Sequence, residues 1–155
     1  LEPIPFEVPV SAEDGRERAG SAAYDRILVD APCTGLGALR RRPESRWRKS
    51  PQDVAPLAEL QGELLSAAVT GLRPGGVVAY VTCSPHLAET RDVVAAVLDQ
   101  HRNELEELDA RGVLRRVSRN VPDLATPGSG GGRAQLWPHR HGTDAMSITL
   151  LRRRG

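Results

Sequence analysis

Two short runs hold the residues best suited to chemistry: Asp30-Ala31-Pro32-Cys33-Thr34-Gly35 and, fifty positions after the first cysteine, Thr82-Cys83-Ser84-Pro85. They contain both cysteines of the chain. Each run follows a short apolar, β-branched stretch, Ile27-Leu28-Val29 and Val77-Val78-Ala79-Tyr80-Val81. In an α/β protein such stretches are parallel strands, and ligands bind outside their carboxyl ends. The two thiols are therefore expected at neighbouring strand ends, where they could act on a bound substrate. A helix starting just behind Cys83 is expected to lower the pKa of that thiol and make it a nucleophile. Cys33 lies between Pro32, which fixes the backbone, and Thr34-Gly35, which lets a ligand approach closely. The plain alternative for either cysteine is packing in the core. Asp30 could accept a hydrogen bond from a ligand amine or a base edge, or could cap its loop. Asp14, before Gly15, has the same two readings. Zinc is not expected: the cysteines are isolated, and His86, His101, His139 and His141 have no Cys-x-x-Cys partner.

The elements that must position these groups follow from periodicity. Phe6 to Val10 alternates and reads as a short strand, Arg16 to Ala23 as a polar loop, and Tyr24 to Val29 as a buried strand. Residues 33–49 form a Gly- and Arg-rich loop too long for a simple connector, which marks it as functional. Ser50 as N-cap, Pro51 at the first helical position and Asp53 in the first turn then start a helix. Its apolar stripe is Val54, Leu57, Leu60, Leu64, Ala68 and Leu72, and Pro74-Gly75-Gly76 ends it. Val77 to Val81 is the second buried strand. Leu87 to His101 is a second helix with Val93, Val94, Val97 and Leu98 facing inward. Further on, Leu105 to Leu108 reads as a helical extension, Val113 to Val117 as a strand and Thr126 to Arg133 as a flexible loop. Ser147 to Leu151 reads as a last, antiparallel strand. The alternation is that of a parallel sheet with covering helices.

Composition sets the outer bounds. At 155 residues with 39% hydrophobic content the chain is one domain or a piece of one. It has no long apolar run and no signal peptide pattern, and two cysteines do not make a disulfide framework; a reduced, cytoplasmic setting is expected. The net charge of +1 hides an asymmetry: of 21 basic residues all but Lys49 are Arg. They cluster at Arg40-Arg41-Arg42, at Arg46 and Arg48, and at Arg152-Arg153-Arg154. Such patches could bind the phosphates of a nucleic acid, or could be ordinary solvated surface.

Four segments, in order, carry a family resemblance. Tyr24-Asp-Arg-Ile-Leu-Val-Asp-Ala-Pro-Cys-Thr-Gly-Leu-Gly37 resembles the fourth motif of RNA (cytosine-5) methyltransferases of the RsmB/Sun type. Leu39 to Trp47 resembles the loop that follows it, Gly75 to Ser84 the sixth motif, and Gln135 to Asp144 the closing motif. The resemblance implies a Rossmann-like, S-adenosylmethionine-dependent methyltransferase sheet, of which residues 1–155 are the carboxyl-terminal portion of the catalytic domain. It implies that Cys83 attacks carbon 6 of a cytosine in ribosomal or transfer RNA, and that Cys33 assists release. Asp30 would lie by the target base and the methionine end of the cofactor. Asp14 would hold the adenine amine, and Pro32 belongs to the same cofactor-binding set. Arg40, Arg41, Arg42, Arg46 and Arg48 would hold the RNA backbone. Trp47 could stack on a base or anchor the loop, and His139 and His141 could contact phosphate or cap a turn.

The chain departs from the family pattern in three places. The Gly-rich loop after the first strand and the acidic residue after the second are absent, so the segment begins just before the third strand. Ala145-Met146-Ser147 stands where relatives carry Gly and an aromatic residue. Without the first strand, Tyr24 to Val29 is left with an open apolar edge, for which a homodimer or a displaced Phe6–Val10 strand is expected. The segment alone is expected to be inactive. The competing readings are a non-catalytic RNA-binding or scaffolding module, which would need neither thiol, and a thiol redox protein, which would ordinarily carry Cys-x-x-Cys.

Overall fold

The computed structural model describes residues 12–17, 24–119, 123–124 and 131–155. The Phe6–Val10 strand and most of the 16–23 and 126–133 loops expected from the sequence lie outside the described residues. Strands β1 (Tyr24–Asp30) and β2 (Leu72–Thr82) pair in parallel, with Asp30 opposite Val81. Antiparallel pairing needs only a tight turn, whereas this parallel pair is joined by a crossover. The crossover contains the short helix α1 (Ser45–Arg48) and the long helix α2 (Val54–Gly71). The last strand, β5 (Ser147–Arg153), runs antiparallel to β2, as the sequence pattern predicts. Its other edge is shared by β3 (Leu105–Leu108) and the two-residue β4 (Ala134–Gln135). The order is β1-β2-β5-β3, with β4 beside β5.

The predicted start of the long helix is observed. Ser50 and Asp53 form a reciprocal capping box around a 3-10 turn, Pro51–Asp53, that runs straight into α2. Its inner face is rotated from the predicted leucine stripe: Gln61, Leu65, Ala68 and Val69 are buried, while Leu57, Leu60 and Leu64 are half-buried. The reason is tertiary, because Gln61 reaches the functional loops and Leu64 borders an open cavity along β1. The helix also ends earlier than Pro74 suggests. Leu72 is already in β2, and Pro74-Gly75 bulge out between the Tyr24–Leu72 and Arg26–Val77 pairs.

Four expectations are corrected. β1 is a strand but not a buried one: Leu28 is 69% exposed because β2 is its sole strand neighbour among the described residues. The 87–101 segment is divided at Thr90, which separates a 3-10 turn, Leu87–Glu89, from helix α3 (Arg91–Gln100). Val93, Val94 and Val97 of α3 are buried as expected. Leu105–Leu108 is a strand rather than a helix, because Glu106 pairs across the sheet with Arg152 while Leu105 enters the core. Val113–Val117 belongs to helix α4 (Ala110–Val117) rather than a strand. Asp109 caps that helix by accepting from the Gly112 N–H at 3.0 Å, and Arg115 and Arg116 sit in its last turn.

The core lies between α2, α3 and the inner sheet face, built on Leu65, Val69, Leu72, Val78, Tyr80, Val94, Val97 and Leu151. A short helix, α5 (Pro138–His141), precedes the segment that returns to β5. That segment is locked to the functional loops at Gly37. Its N–H donates to the Cys83 carbonyl and its carbonyl accepts from the Ala145 N–H, both at 2.9 Å. A β-carbon here would lie 2.0 Å from the Ala145 oxygen and 2.7 Å from the Cys83 oxygen. Gly37→Ala must therefore separate three backbone segments. It should cost about 3 kcal/mol, or roughly 6–12 °C in a thermal melt followed by circular dichroism.

Candidate active site

The parallel register puts the ends of β1 and β2 side by side, and the Ala31 N–H continues the ladder by donating to the Val81 carbonyl at 3.0 Å. Both segments then turn over the top of the sheet, and the Sγ atoms of Cys33 and Cys83 lie 3.3 Å apart, unbonded. Two thiols separated by fifty residues thus form one site, which is the adjacency the sequence implies.

A buried carboxylate lies beneath both thiol loops. Glu89 has no exposed surface. Its Oε1 accepts from the Thr34 N–H at 2.7 Å, and its Oε2 accepts from the Thr34 and Ser84 hydroxyls, each at 2.6 Å. Thr34 and Ser84 are the residues that follow the two cysteines. Gln61, from α2, donates to the Pro32 carbonyl at 2.7 Å and lies 3.4 Å from Glu89 Oε1. The Tyr80 hydroxyl, from β2, donates to the Glu89 carbonyl at 2.8 Å. Burial pushes the Tyr80 phenol well above its ordinary pKa. Glu89, Gln61 and Tyr80 were not singled out from the sequence. The available signal was that each cysteine is followed by a hydroxyl residue, and that a glutamate opens the helix after the second.

A cavity of about 520 Å³ opens above the thiols, lined by Asp30, Pro32, Cys33, Cys83, Arg42 and Lys49 among others. A second cavity, of about 460 Å³, runs along β1, with walls from Gly15, Ile27, Leu28, Leu64 and Ala68. Asp30 borders both cavities. Asp14 stands next to Gly15 in this second neighbourhood, and Arg16 embraces its carboxylate at 2.6 Å while also reaching Glu63 at 2.7 Å. That guanidinium holds the Asp14 carboxyl down at about 2.

The arginine clusters divide into structural and free groups. Arg41 forks onto buried Asp144, at 2.8 and 3.1 Å from its two oxygens, and holds that carboxyl below the usual range. Arg40 donates to the Gly142 carbonyl at 2.8 Å. These two arginines tie the loop after the first motif to the closing motif. Arg42 faces the thiol cavity with Lys49, a residue the sequence reading passed over. Arg46 lies 5.0 Å over the ring of Trp47, which is 81% exposed, and Arg48 is exposed beside them. His141 caps its turn: Nδ1 accepts from the Trp137 N–H at 2.8 Å, and Nε2 lies 2.7 Å from the Asp123 carbonyl. Among the described residues, no helix is long and apolar enough to cross a membrane.

A parallel strand pair with a crossover helix, an antiparallel last strand and a site at the carboxyl ends of the strands define the Rossmann-like sheet of a methyltransferase. The chain matches the crystal structure of PH0851 with a TM-score of 0.78 at 31% identity, over 91% of this chain and 30% of that one. It also matches NSun6 from Pyrococcus horikoshii, solved with SFG, with a TM-score of 0.70 at 28% identity, over 92% and 34% of the two chains. The model of the 16S rRNA methyltransferase RsmB/F family matches residues 4–152, and the chain belongs to that family. It is 58% identical over 140 residues to the putative methyltransferase Rv1407 of Mycobacterium tuberculosis, covering 90% of this chain and 29% of that protein. It is 33% identical over 146 residues to the probable ribosomal RNA small subunit methyltransferase B of Bacillus subtilis, covering 94% and 31%. The chain therefore spans about a third of the length of these relatives.

The two thiols are not equivalent. Burial, then the hydrogen bond with Cys83, pushes Cys33 from an ordinary 9.0 up to about 12. Cys33 therefore remains a proton-bearing thiol at neutral pH. The folded chain holds this proton more tightly than the unfolded chain. Its contribution to stability is complete below pH 9 and falls as pH climbs from 9 towards 12. Urea melts at pH 7.5 and pH 10 should show this loss, and Cys33→Ala should flatten it.

Proposed function

We propose that residues 1–155 are the carboxyl-terminal portion of the catalytic domain of an S-adenosylmethionine-dependent RNA cytosine-5 methyltransferase, acting through a covalent adduct on Cys83. The observation that carries this reading is the pair of thiols 3.3 Å apart in the wall of a cavity that Asp30, Arg42 and Lys49 also line. Carbon 6 of cytosine is a soft, weak electrophile, which a thiolate attacks better than a hydroxyl. Addition of the Cys83 thiolate forms the C6–S bond and makes carbon 5 nucleophilic. Carbon 5 takes a methyl group, a base removes its proton, and that electron pair restores the double bond as the C6–S bond breaks. The Cys33 thiol, kept protonated by burial, is the donor that would hydrogen-bond the departing Cys83 sulfur. A phosphate-binding module would need neither thiol.

S-adenosylmethionine, when bound, supplies the methyl group. The cavity along β1 suits part of it: Ile27, Leu28 and Leu64 offer apolar walls for a flat ring, and Asp30, which borders both cavities, would accept from an ammonium. Support also comes from the neighbour solved with SFG, an S-adenosylmethionine analogue. For Asp14 to take an adenine amine, that amine must replace the Arg16 guanidinium. RNA is the substrate class, with ribosomal RNA favoured by the relatives' names. Arg42, Arg46, Arg48 and Lys49 are the groups disposed to meet phosphate, since Arg40 and Arg41 hold the loop to Gly142 and Asp144. We place the protein in the cytoplasm on the same reading.

In the complete protein, Cys33→Ala should trap an RNA adduct stable to denaturing electrophoresis. Cys83→Ala should give neither adduct nor methylation, and the 155-residue chain alone should give no methylation. An adduct that survives Cys83→Ala would refute the assignment.

The outer edge of β1, with exposed Leu28, is a surface to which another strand could add. A homodimer through this edge is the reading we favour for the isolated chain. Light scattering should give a dimer that Leu28→Lys converts to monomer, whereas a wild-type monomer would overturn it.

A further inference from the structure

We propose that Glu89 is the positioning residue of this site, holding the two cysteine loops in the register that brings the thiols together. The proposal rests on the reading of Cys83 as nucleophile and Cys33 as its partner. Its support is geometric. The side chain has no exposed surface, and its two oxygens take three donors at 2.6 to 2.7 Å. Two of these come from the residue after Cys33 and one from the residue after Cys83, so a single carboxylate fixes both loops from below. Gln61 secures Pro32, the residue before Cys33, and lies beside the same Oε1.

The position of Glu89 is itself constrained. Its carbonyl accepts from Tyr80, a fully buried side chain of β2, and Thr90 breaks the helix just after it. The Thr90 hydroxyl donates to the His86 carbonyl at 2.8 Å, which turns the chain so that Glu89 faces inward. A carboxylate accepts from all three donors with its two oxygens, whereas a glutamine would keep the contacts only by turning both hydroxyls into acceptors of its amide N–H groups, replacing charge-assisted hydrogen bonds with weaker neutral ones. Its negative charge also disfavours ionisation of Cys33, which helps to keep the two thiols in different roles.

The test reads the thiols of this chain directly and needs neither RNA nor cofactor. Diamide adds to one thiolate, and the second thiol then displaces the hydrazine to form the disulfide, so the rate of this second, closing step reports how often the sulfurs meet. Glu89→Gln should slow the closing step at least tenfold. It should also shift the pH profile of Cys33 alkylation, measured in Cys83→Ser, towards lower pH. The double variant Thr34→Val, Ser84→Ala removes both hydroxyl donors and leaves the backbone N–H of residue 34 on Glu89; it should slow disulfide formation, and adding Glu89→Gln to it should slow it less than Glu89→Gln slows the wild type, because the changes share two of the three contacts. A folded Glu89→Gln protein, judged by a cooperative melt, with wild-type disulfide rate and alkylation profile would overturn the proposal. Should Glu89→Gln fail to fold, the Thr34→Val, Ser84→Ala protein decides: a wild-type disulfide rate overturns the proposal. The adduct trap in the complete protein tests the cysteine roles separately, so failure of one reading is distinguishable from failure of the other.

Discussion

The structure depends on satisfying one carboxylate removed from water. Burying a charged group costs several kcal/mol unless donors replace its hydration. Hydrogen bonds to such a group contribute about 1.5–3 kcal/mol each. Glu89 obtains its donors from Thr34 and Ser84, on the two loops that the Ala31–Val81 and Gly37–Cys83 backbone bonds also hold together. The sheet brings the loops to the same end, and the carboxylate fixes how they face each other. The sulfur–sulfur approach of 3.3 Å follows from these two constraints acting together.

A second set of polar contacts closes the same end of the sheet from the outside. The Arg41–Asp144 fork and the Gly37 backbone bridge fasten the closing motif to the loop after Cys33. Motifs more than a hundred residues apart thus act as one wall. At the far edge, Arg152 pairs with Glu106, and Arg153 donates to the Leu72 carbonyl at 2.7 Å. Much of what looks like a nucleic-acid charge pattern in the sequence is therefore internal fastening. The basic groups left facing the thiol cavity are few, and they include the chain's single lysine.

The open side of β1 bears on function as well as association. The cavity there is walled by the exposed edge strand and by the half-buried leucine of α2, with Asp30 at its inner end. A sheet that continued past β1 would cover those apolar side chains and complete the walls. The chain spans about a third of the length of the relatives it matches.

Strands β1, β2 and β5, the helix start at Ser50, the inward valines of α3 and both strand-end cysteines were legible in the sequence, because each rests on local periodicity or local turn chemistry. The family was legible for a related reason: its motifs are contiguous runs. What failed were segments whose state depends on distant partners. Leu105–Leu108 alternates too little to read as a strand until Arg152 stands across from Glu106. The inner face of α2 was misjudged because its key residue is a polar glutamine that meets Pro32 and Glu89 only in the folded chain. Sequence alone thus determined which residues could do the chemistry and which elements carry them. Tertiary structure alone decided that the thiols touch, that Glu89 underlies them, and which arginines remain available, because those facts depend on burial and on contacts between residues far apart in the chain.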